Sequence, residues 1–395
     1  MTSPHSFTAS PQPRLRVCLY TKVWRPSGSG RFAQELALGM IASGADVCFL
    51  SPRVDDPRIE TETEGLTRIR PPREGNEASG RASRFLASLR RITGSLGGII
   101  AARRRARIFL FTIPDPLPVT ILMLALLRLS GARVLFIAHD PLPHAFRLPP
   151  RWRWIEIAAH GLCYRLSSAV VVLSDASRDR LHAAFPRLDR QVEVIDHGVF
   201  PLGQDIAPPG DGLLLCFGTV RRNKHVAEAI AGVALARRRG ADVRLLIAGE
   251  AHRDEADYAR ACQQMADEAG DGVELRLGYL DDANLPQVMA ECDAFLMPYG
   301  DFHSQSGVAL LAASNGWPLI ATDAGGLATL IAEGMPAQRI EAPVSAETVA
   351  AAVTAFRATP IEDWRRQARA YQALTLEKRS WRAIGARYLA LCARL

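Results

Sequence analysis

Short apolar runs of four to six residues alternate with longer segments whose apolar positions recur at helical spacing, along nearly the whole chain. In the first half the runs are 15–20 (LRVCLY), 46–50 (DVCFL), 107–112 (RIFLFT), 133–138 (RVLFIA), 169–173 (AVVVL) and 192–195 (VEVI). Runs that are apolar on consecutive positions suit strands covered on both faces by crossover helices, so they predict a parallel sheet. A turn-rich segment at 201–212, PLGQDIAPPGDG, interrupts the rhythm and reads as an interdomain linker. The rhythm restarts at 213–217 (LLLCF), 243–248 (VRLLIA), 273–277 (VELRL), 294–297 (AFLM) and 318–322 (PLIAT), while 345–393 reads as helix. The expectation is an α/β chain of two Rossmann-like parallel-sheet domains facing across a cleft, the first over 1–200 and the second from 213. Ligands then belong at the carboxyl ends of the strands.

Length agrees, since 395 residues exceed what one hydrophobic core usually supports. Charge changes the picture more. The net +7 is unevenly placed: residues 1–200 hold 28 Lys/Arg against 17 Asp/Glu, and residues 201–395 hold 20 against 24. A basic N-terminal half suggests an anionic neighbour, lipid headgroups or nucleic acid, although an Arg-rich solvated surface gives the same count. The stretch 78–114 concentrates this bias, with no Asp or Glu and eight arginines, among them Arg84, Arg90, Arg91, Arg103, Arg104 and Arg105. Phe85, Leu86, Leu89, Ile92, Leu96, Ile99 and Ile100 fall between them at helical spacing, with an expected break near Gly94–Gly98. This pattern fits a basic amphipathic helix on an anionic membrane, or a core-packed helix with an Arg-rich outer face. Trp152 and Trp154, beside Arg151 and Arg153, fit an interfacial contact or the core. The seven cysteines form no C-x-x-C pair and read as buried thiols of a reducing compartment. The N-terminus has no apolar core of signal-peptide length, and Val119–Leu127 is too short to span a bilayer, so a soluble or peripheral protein is expected.

Four segments at expected strand ends carry chemistry. TKVWRPSGSGRF (21–32) places Gly28, Ser29 and Gly30 before a helix, where backbone N–H groups can meet an anion, or where a glycine loop serves no ligand. A dinucleotide site fits poorly, because Gly28 lies eight residues past the strand and no acid ends the second strand. IAHDPLPHAF (137–146) offers His139 to a sugar hydroxyl and Asp140 as a base for an acceptor hydroxyl, or simply as a turn cap; His144 follows. FGTVRRNKH (217–225) turns at Gly218 and sets Arg221 and Lys224 before a helix, a combination suited to a diphosphate leaving group or to solvent. In 298–326, Ser304, Gln305, Ser306 and Gly307 lead into a helix, where small polar groups and free N–H donors suit phosphate or sugar hydroxyls, or ordinary capping.

The glycine loop, SDASRDRL (174–181), IDHGV (195–199), GYLDDANLPQVMAECDAFLMPY (278–299) and G-x-P-L-I-A-T (316–322) follow in an order that resembles the GT-B glycosyltransferases of family 4. The resemblance is closest to a subgroup with F-G-x-x-R-x-x-K, here Phe217, Gly218, Arg221 and Lys224, and Q-S-G, here Gln305–Gly307. That subgroup includes enzymes similar to exopolysaccharide mannosyltransferases. The resemblance implies a GT-B fold, a second domain over 213–377, and a C-terminal helix at 378–395 that packs back toward the first domain. It implies a nucleotide-sugar donor, GDP- or UDP-linked, carrying mannose, glucuronic acid or glucose. Arg221 and Lys224 would hold its diphosphate, and His139 would lie near the transferred sugar. It further implies a lipid-linked saccharide acceptor in exopolysaccharide or envelope glycan synthesis, and a cytoplasmic enzyme on the inner face of the cell membrane. No metal, no resident cofactor and no nucleic-acid partner are expected. The family's two donor-loop glutamates are replaced by Ser304 and Ala312, which leaves retaining and inverting chemistry both open. A non-catalytic GT-B subunit of a polysaccharide assembly complex and a GT-B nucleotide-sugar epimerase are the competing readings.

Overall fold

The computed structural model describes residues 14–23, 29–54, 56–73, 81–113, 116–142, 146, 148–278, 280, 284–300 and 305–395. Among them, thirteen strands form two sheets, and every strand pairing recorded between them is parallel. The first sheet contains β1 (Arg16–Tyr20), β2 (Asp46–Leu50), β3 (Leu66–Ile69), β4 (Ile108–Phe111), β5 (Arg133–Ala138), β6 (Ala169–Val172) and β7 (Val192–Val194), in the order β3-β2-β1-β4-β5-β6-β7. The second contains β8 (Leu213–Phe217), β9 (Arg244–Gly249), β10 (Val273–Leu277), β11 (Ala294–Met297), β12 (Leu319–Ala321) and β13 (Ala337–Arg339), in the order β10-β9-β8-β11-β12-β13. Strand order reverses between β1 and β4 and again between β8 and β11. At such a reversal the flanking helices lie on opposite faces and leave a crevice at the carboxyl edge.

The first half also carries helices α1 (Ser29–Ala42), α2 (Pro57–Glu60), α3 (Arg81–Arg103), α4 (Leu117–Leu129), α5 (Arg153–Leu166) and α6 (Asp175–Ala184). The second carries α7 (Val226–Arg238), α8 (Ala256–Ala269), α9 (Leu285–Ala290), α10 (Gly307–Asn315), α11 (Gly326–Ala332), α12 (Ala346–Ala358), α13 (Ile361–Arg379) and α14 (Trp381–Arg394). Side chains alternate between the two faces of each strand. Val17 and Leu19 therefore join a core with α1 and α14, while Cys18 and Tyr20 join one with α3, α4 and α5. In the second sheet, α7, α8 and α12 cover one face and α9, α10, α11 and α13 the other. All seven cysteines are buried and unbonded.

Two strands were not foreseen. β3 is half-buried along its length and β13 is partly exposed, so neither carries an apolar run. The expected break in 78–114 is absent, because α3 runs unbroken through Gly94 and Gly98. A β-carbon on Gly94 would lie 2.6 Å from Pro72 Cδ, and one on Gly98 would lie 2.6 Å from Leu50 Cδ1. These glycines are notches that bring the helix onto the sheet. Arg91, expected on an outer surface, is buried, so it belongs to the seat of α3.

The 201–212 segment is anchored by Asp293, which is fully buried and accepts from the N–H groups of Gly210 and Gly212 while pairing with Arg357 at 3.3 Å. The chain then returns to the first sheet. Arg379, 4% exposed, pairs with Asp196 beyond β7 at 3.4 Å and with Glu333 beyond α11 at 2.8 Å. Trp381 follows and packs on Gly39 of α1 and on Gly198, where any side chain would collide with it. Further along α14, a β-carbon on Gly385 would come within 2.6 Å of the Gly39 and Met40 backbone, which cannot yield. Gly385→Val should therefore destabilise the chain by about 1–3 kcal/mol, read as a lower thermal unfolding midpoint. An unchanged midpoint would mean that α1 and α14 are not in this contact.

Candidate active site

The loops after β8 and β11 meet at the reversal point of the second sheet. Gly218 ends β8 with φ 95°, and a side chain there would lie 3.0 Å from Lys224 Nζ and 3.7 Å from Val308 of α10. Glycine thus brings the β8 loop, the Lys224 ammonium and the start of α10 together. The two loops are tied by a bond from Gly300 N–H to Asn223 O at 3.0 Å. Lys224 donates to Phe217 O at 3.3 Å and stands 5.4 Å from the centre of the Tyr299 ring. Burial, then the neighbouring Arg221, pushes its pKa down to about 8. Among the described residues no carboxylate pairs with its ammonium, an environment that suits an anion.

The groups around it point the same way. Ser306 caps α10 by accepting from Ala309 N–H at 3.2 Å, and α10 ends at Gly316 in the left-handed conformation. No acid lies in its first turn, so nothing within α10 itself offsets the positive end that faces the loop. Both amide atoms of Gln305 and the Arg221 Nε are buried without a hydrogen-bond partner among the described residues, although buried polar groups are ordinarily paired. Gly218, Arg221, Lys224, Gln305, Ser306 and Gly307 are thus assembled in one place. Ser304 lies outside the described residues. Ala312, which the resemblance sets in place of the family's second glutamate, is packed in the core. Tyr299 was missed from the sequence, because its apolar run marks only a strand end.

At the carboxyl edge of the first sheet, Gly30 is buried in the first turn of α1, and Phe32 follows. Gly28 and His144 lie outside the described residues, and so does the side chain of Ser29. The Phe32 ring meets His139 edge-on at 4.6 Å and His197 at 5.0 Å, and Trp381 closes the cluster at 5.3 Å. Burial, reinforced by His197, pushes the His139 pKa down to about 4, against the opposing pull of Asp140. His139 is therefore neutral near pH 7, and its Nε2 is buried without a partner among the described residues. A neutral imidazole can donate or accept one hydrogen bond there, as a sugar hydroxyl requires. His197, also held near 4 by burial, was quoted only within IDHGV, and only the fold brings it to His139.

The arginines proposed for a surface separate. Arg84 and Arg90 are exposed on α3, Arg91 is buried, and Arg103 bonds Ser130 O at 2.6 Å. Arg104 and Arg105 lie at the far end of α3, by the amino edge of the sheet. Among the described residues no three His, Cys, Asp or Glu side chains gather as metal ligands, and no helix is long and apolar enough to cross a membrane.

Comparison with known proteins agrees with this fold. Residues 26–201 match the family model "Glycosyltransferase Family 4", and residues 211–358 match "Glycosyl transferases group 1". The chain is 28% identical over 226 residues to a glycogen synthase of Mycobacterium tuberculosis. That match takes in 55% of this chain and 52% of the relative, so the chain spans about half the length of the curated relatives it matches. Among solved structures, Anabaena HepE in complex with UDP-glucose superposes with a TM-score of 0.68 at 18% identity, covering 97% of this chain and 100% of that one. Sucrose-phosphate synthase from Thermosynechococcus elongatus gives 0.70 at 17%, covering 96% and 99%. WaaG, a glycosyltransferase involved in lipopolysaccharide biosynthesis, gives 0.63 at 16%, covering 95% and 99%. At these identities the likeness establishes the GT-B fold.

The lowered Lys224 pKa sets a pH dependence. Below about 8 the ammonium is charged and can meet a diphosphate; above it the free protein loses that charge. Nucleoside diphosphate affinity should fall about tenfold as pH rises through 8 toward the ordinary lysine range, measured by calorimetry. A flat affinity would remove Lys224 from the site.

Proposed function

We propose that this chain, which carries a family 4 glycosyltransferase domain followed by a group 1 glycosyltransferase domain on the GT-B fold, transfers a sugar from a nucleotide-sugar donor to a lipid-linked saccharide. The observation that carries this reading is the under-neutralised Lys224, set with Arg221, the unpartnered Gln305 amide and the positive end of α10 at one strand reversal. Arg221 and Lys224 neutralise charge as it builds on the departing nucleoside diphosphate, the step at which fixed positive groups contribute most. These cations take the place a divalent ion holds elsewhere, so turnover persists in EDTA. Gln305 supplies a donor and an acceptor to donor hydroxyls, and neutral His139 bonds the transferred sugar. Asp140, next in sequence, receives the proton of the attacking acceptor hydroxyl if the reaction inverts. The UDP and UDP-glucose bound by Anabaena HepE favour a UDP-linked donor over a GDP-linked one.

The acceptor side rests on a different observation. Twelve of the fourteen exposed large apolar side chains among the described residues fall between 85 and 162. They include Phe85 and Leu86 on α3, Leu122, Leu126 and Leu129 on α4, Trp152 just before α5 and Trp154 in its first turn. These three helices cover one face of the first sheet. Each connects the carboxyl edge of one strand to the amino edge of the next, so the first turns of α3 and α5 flank the edge that carries His139. Exposed aromatic and aliphatic side chains among Arg84, Arg90, Arg151 and Arg153 suit an anionic membrane surface, apolar groups entering and cations meeting headgroups. These features support a lipid-borne acceptor beside the cleft, in exopolysaccharide or envelope glycan synthesis. The carboxylate missing at Ala312 favours one second reading, a non-catalytic assembly subunit that binds nucleotide without turnover.

Three measurements test this. Thermal shift against GDP, UDP, ADP and their sugar conjugates should show one nucleotide series stabilising the protein equally with and without EDTA; no shift from any series would refute the donor site. Lys224→Ala should weaken donor affinity by about 1.5–3 kcal/mol, ten- to a hundredfold, with the fold retained. Asp140→Asn should abolish transfer if the reaction inverts and largely spare it if it retains, which separates the two chemistries.

A further inference from the structure

At the amino edge of the first sheet, opposite the carboxyl edge that holds His139, six arginines surround a concavity of about 780 Å³. Arg14 and Arg16 come from the start of β1, Arg103, Arg104 and Arg105 from the end of α3, and Arg107 from the approach to β4. A second hollow of about 440 Å³ adjoins it, sharing Arg16, Asp46 and Arg105 in its wall.

Few of these charges are answered. Arg14 pairs with Glu64 at 2.9 Å, and both Arg14 and Arg16 stand near Asp46, at 3.8 and 3.7 Å. Arg103 is spent on Ser130 at the end of α4. Arg104, Arg105 and Arg107 have no carboxylate partner among the described residues, and all three are exposed. Like charges gathered without compensation destabilise a fold by mutual repulsion. A concave wall also focuses their field inward. Guanidinium groups converging from three elements offer forked N–H pairs, the geometry that matches phosphate oxygens.

We propose that this arginine-lined cavity is a second anion site, separate from the donor site, that binds a phosphoryl group bearing several negative charges. Arg104 and Arg105, first read together with Arg84 and Arg90 as one membrane-facing row, belong to this cavity. Between 14 and 21 residues separate the two groups, about 21–32 Å at the helical rise per residue. The ligand's phosphate arrives either on a free oligophosphate or on a lipid headgroup. The two sources share their chemistry and differ in what accompanies it.

The test uses the full chain carrying Lys224→Ala, so that the donor site no longer contributes its principal cation. Titration with tripolyphosphate at low salt should still show binding. Adding Arg104→Gln, Arg105→Gln and Arg107→Gln should weaken that binding by at least about tenfold. A matched set, Arg187→Gln, Arg238→Gln and Arg239→Gln, removes the same charge from exposed positions elsewhere and should leave binding unchanged. All six positions are exposed, so both variants should keep the parent thermal midpoint. In a second arm, both sets are sedimented with phosphatidylcholine vesicles with and without phosphatidylglycerol. Tripolyphosphate binding lost only in the first set assigns a free oligophosphate. No tripolyphosphate binding, with anionic vesicle binding weakened only in the first set, assigns a lipid headgroup, the exposed face of α3 to α5 accounting for what binding remains. Equal behaviour of the two sets in both arms overturns the proposal, whatever becomes of the donor site.

Discussion

A parallel strand covered by helices on both faces has only its ends free for chemistry, and this constraint organises the molecule. The interiors of β1, β4, β8 and β11 are buried almost throughout. Backbone N–H and C=O groups there are consumed by ladder bonds, and side chains are consumed by packing. What remains are the loops, and the parallel arrangement delivers those that follow each strand to the same edge. The reversal between β8 and β11 then decides which of them can enclose a ligand. The phosphate-type loop at 218–224 and the start of α10 lie far apart in sequence, yet they are adjacent for this reason alone.

Placing cations at such an edge has an electrostatic cost that the site uses. Lys224 is close enough to Arg221 and buried enough that its proton is held less firmly than that of an exposed lysine. On the proposed reading, an arriving diphosphate would offset both penalties together, so part of its binding energy would be prepared beforehand as uncompensated repulsion and desolvation. His139 shows the complementary choice. Burial among Phe32, His197 and Trp381 keeps it neutral, which suits hydroxyl recognition and would not suit a second cation beside a sugar.

Much of the fold was legible in the sequence, because doubly covered strands must be apolar at every position and so announce themselves. LRVCLY, DVCFL, RVLFIA and LLLCF are all strands, within a residue at either end. The misses share one cause: their signal is not local. β3 and β13 are edge strands with half-exposed side chains, so nothing apolar marks them. Gly94 and Gly98 look like helix breakers until Pro72 and Leu50 are known to sit against them. The candidate site follows the same rule. Arg221, Lys224 and Gln305 could be named from loop chemistry, whereas Tyr299, His197 and Trp381 enter through contacts that only the finished fold creates.

The basic bias of the N-terminal half illustrates how far composition carries an argument. Eight arginines without an acid in 78–114 read as one feature in one dimension. In three dimensions they divide by the helical path of α3. Arg84 and Arg90 stand near exposed Phe85 and Leu86 at the cleft edge, Arg91 is buried under the helix, and Arg104 and Arg105 close a cavity at the opposite edge. A run of like charge is therefore no evidence for a single anionic surface. What a charge does depends on its neighbours in the fold, apolar side chains in one case and five other guanidinium groups in the other. A helix that spans the full depth of a sheet can serve both ends, because about 21–32 Å separates the two arginine groups, well beyond the screening length of about 8 Å at physiological salt. Each end is then electrostatically independent, and a substitution at one leaves the potential at the other nearly unchanged.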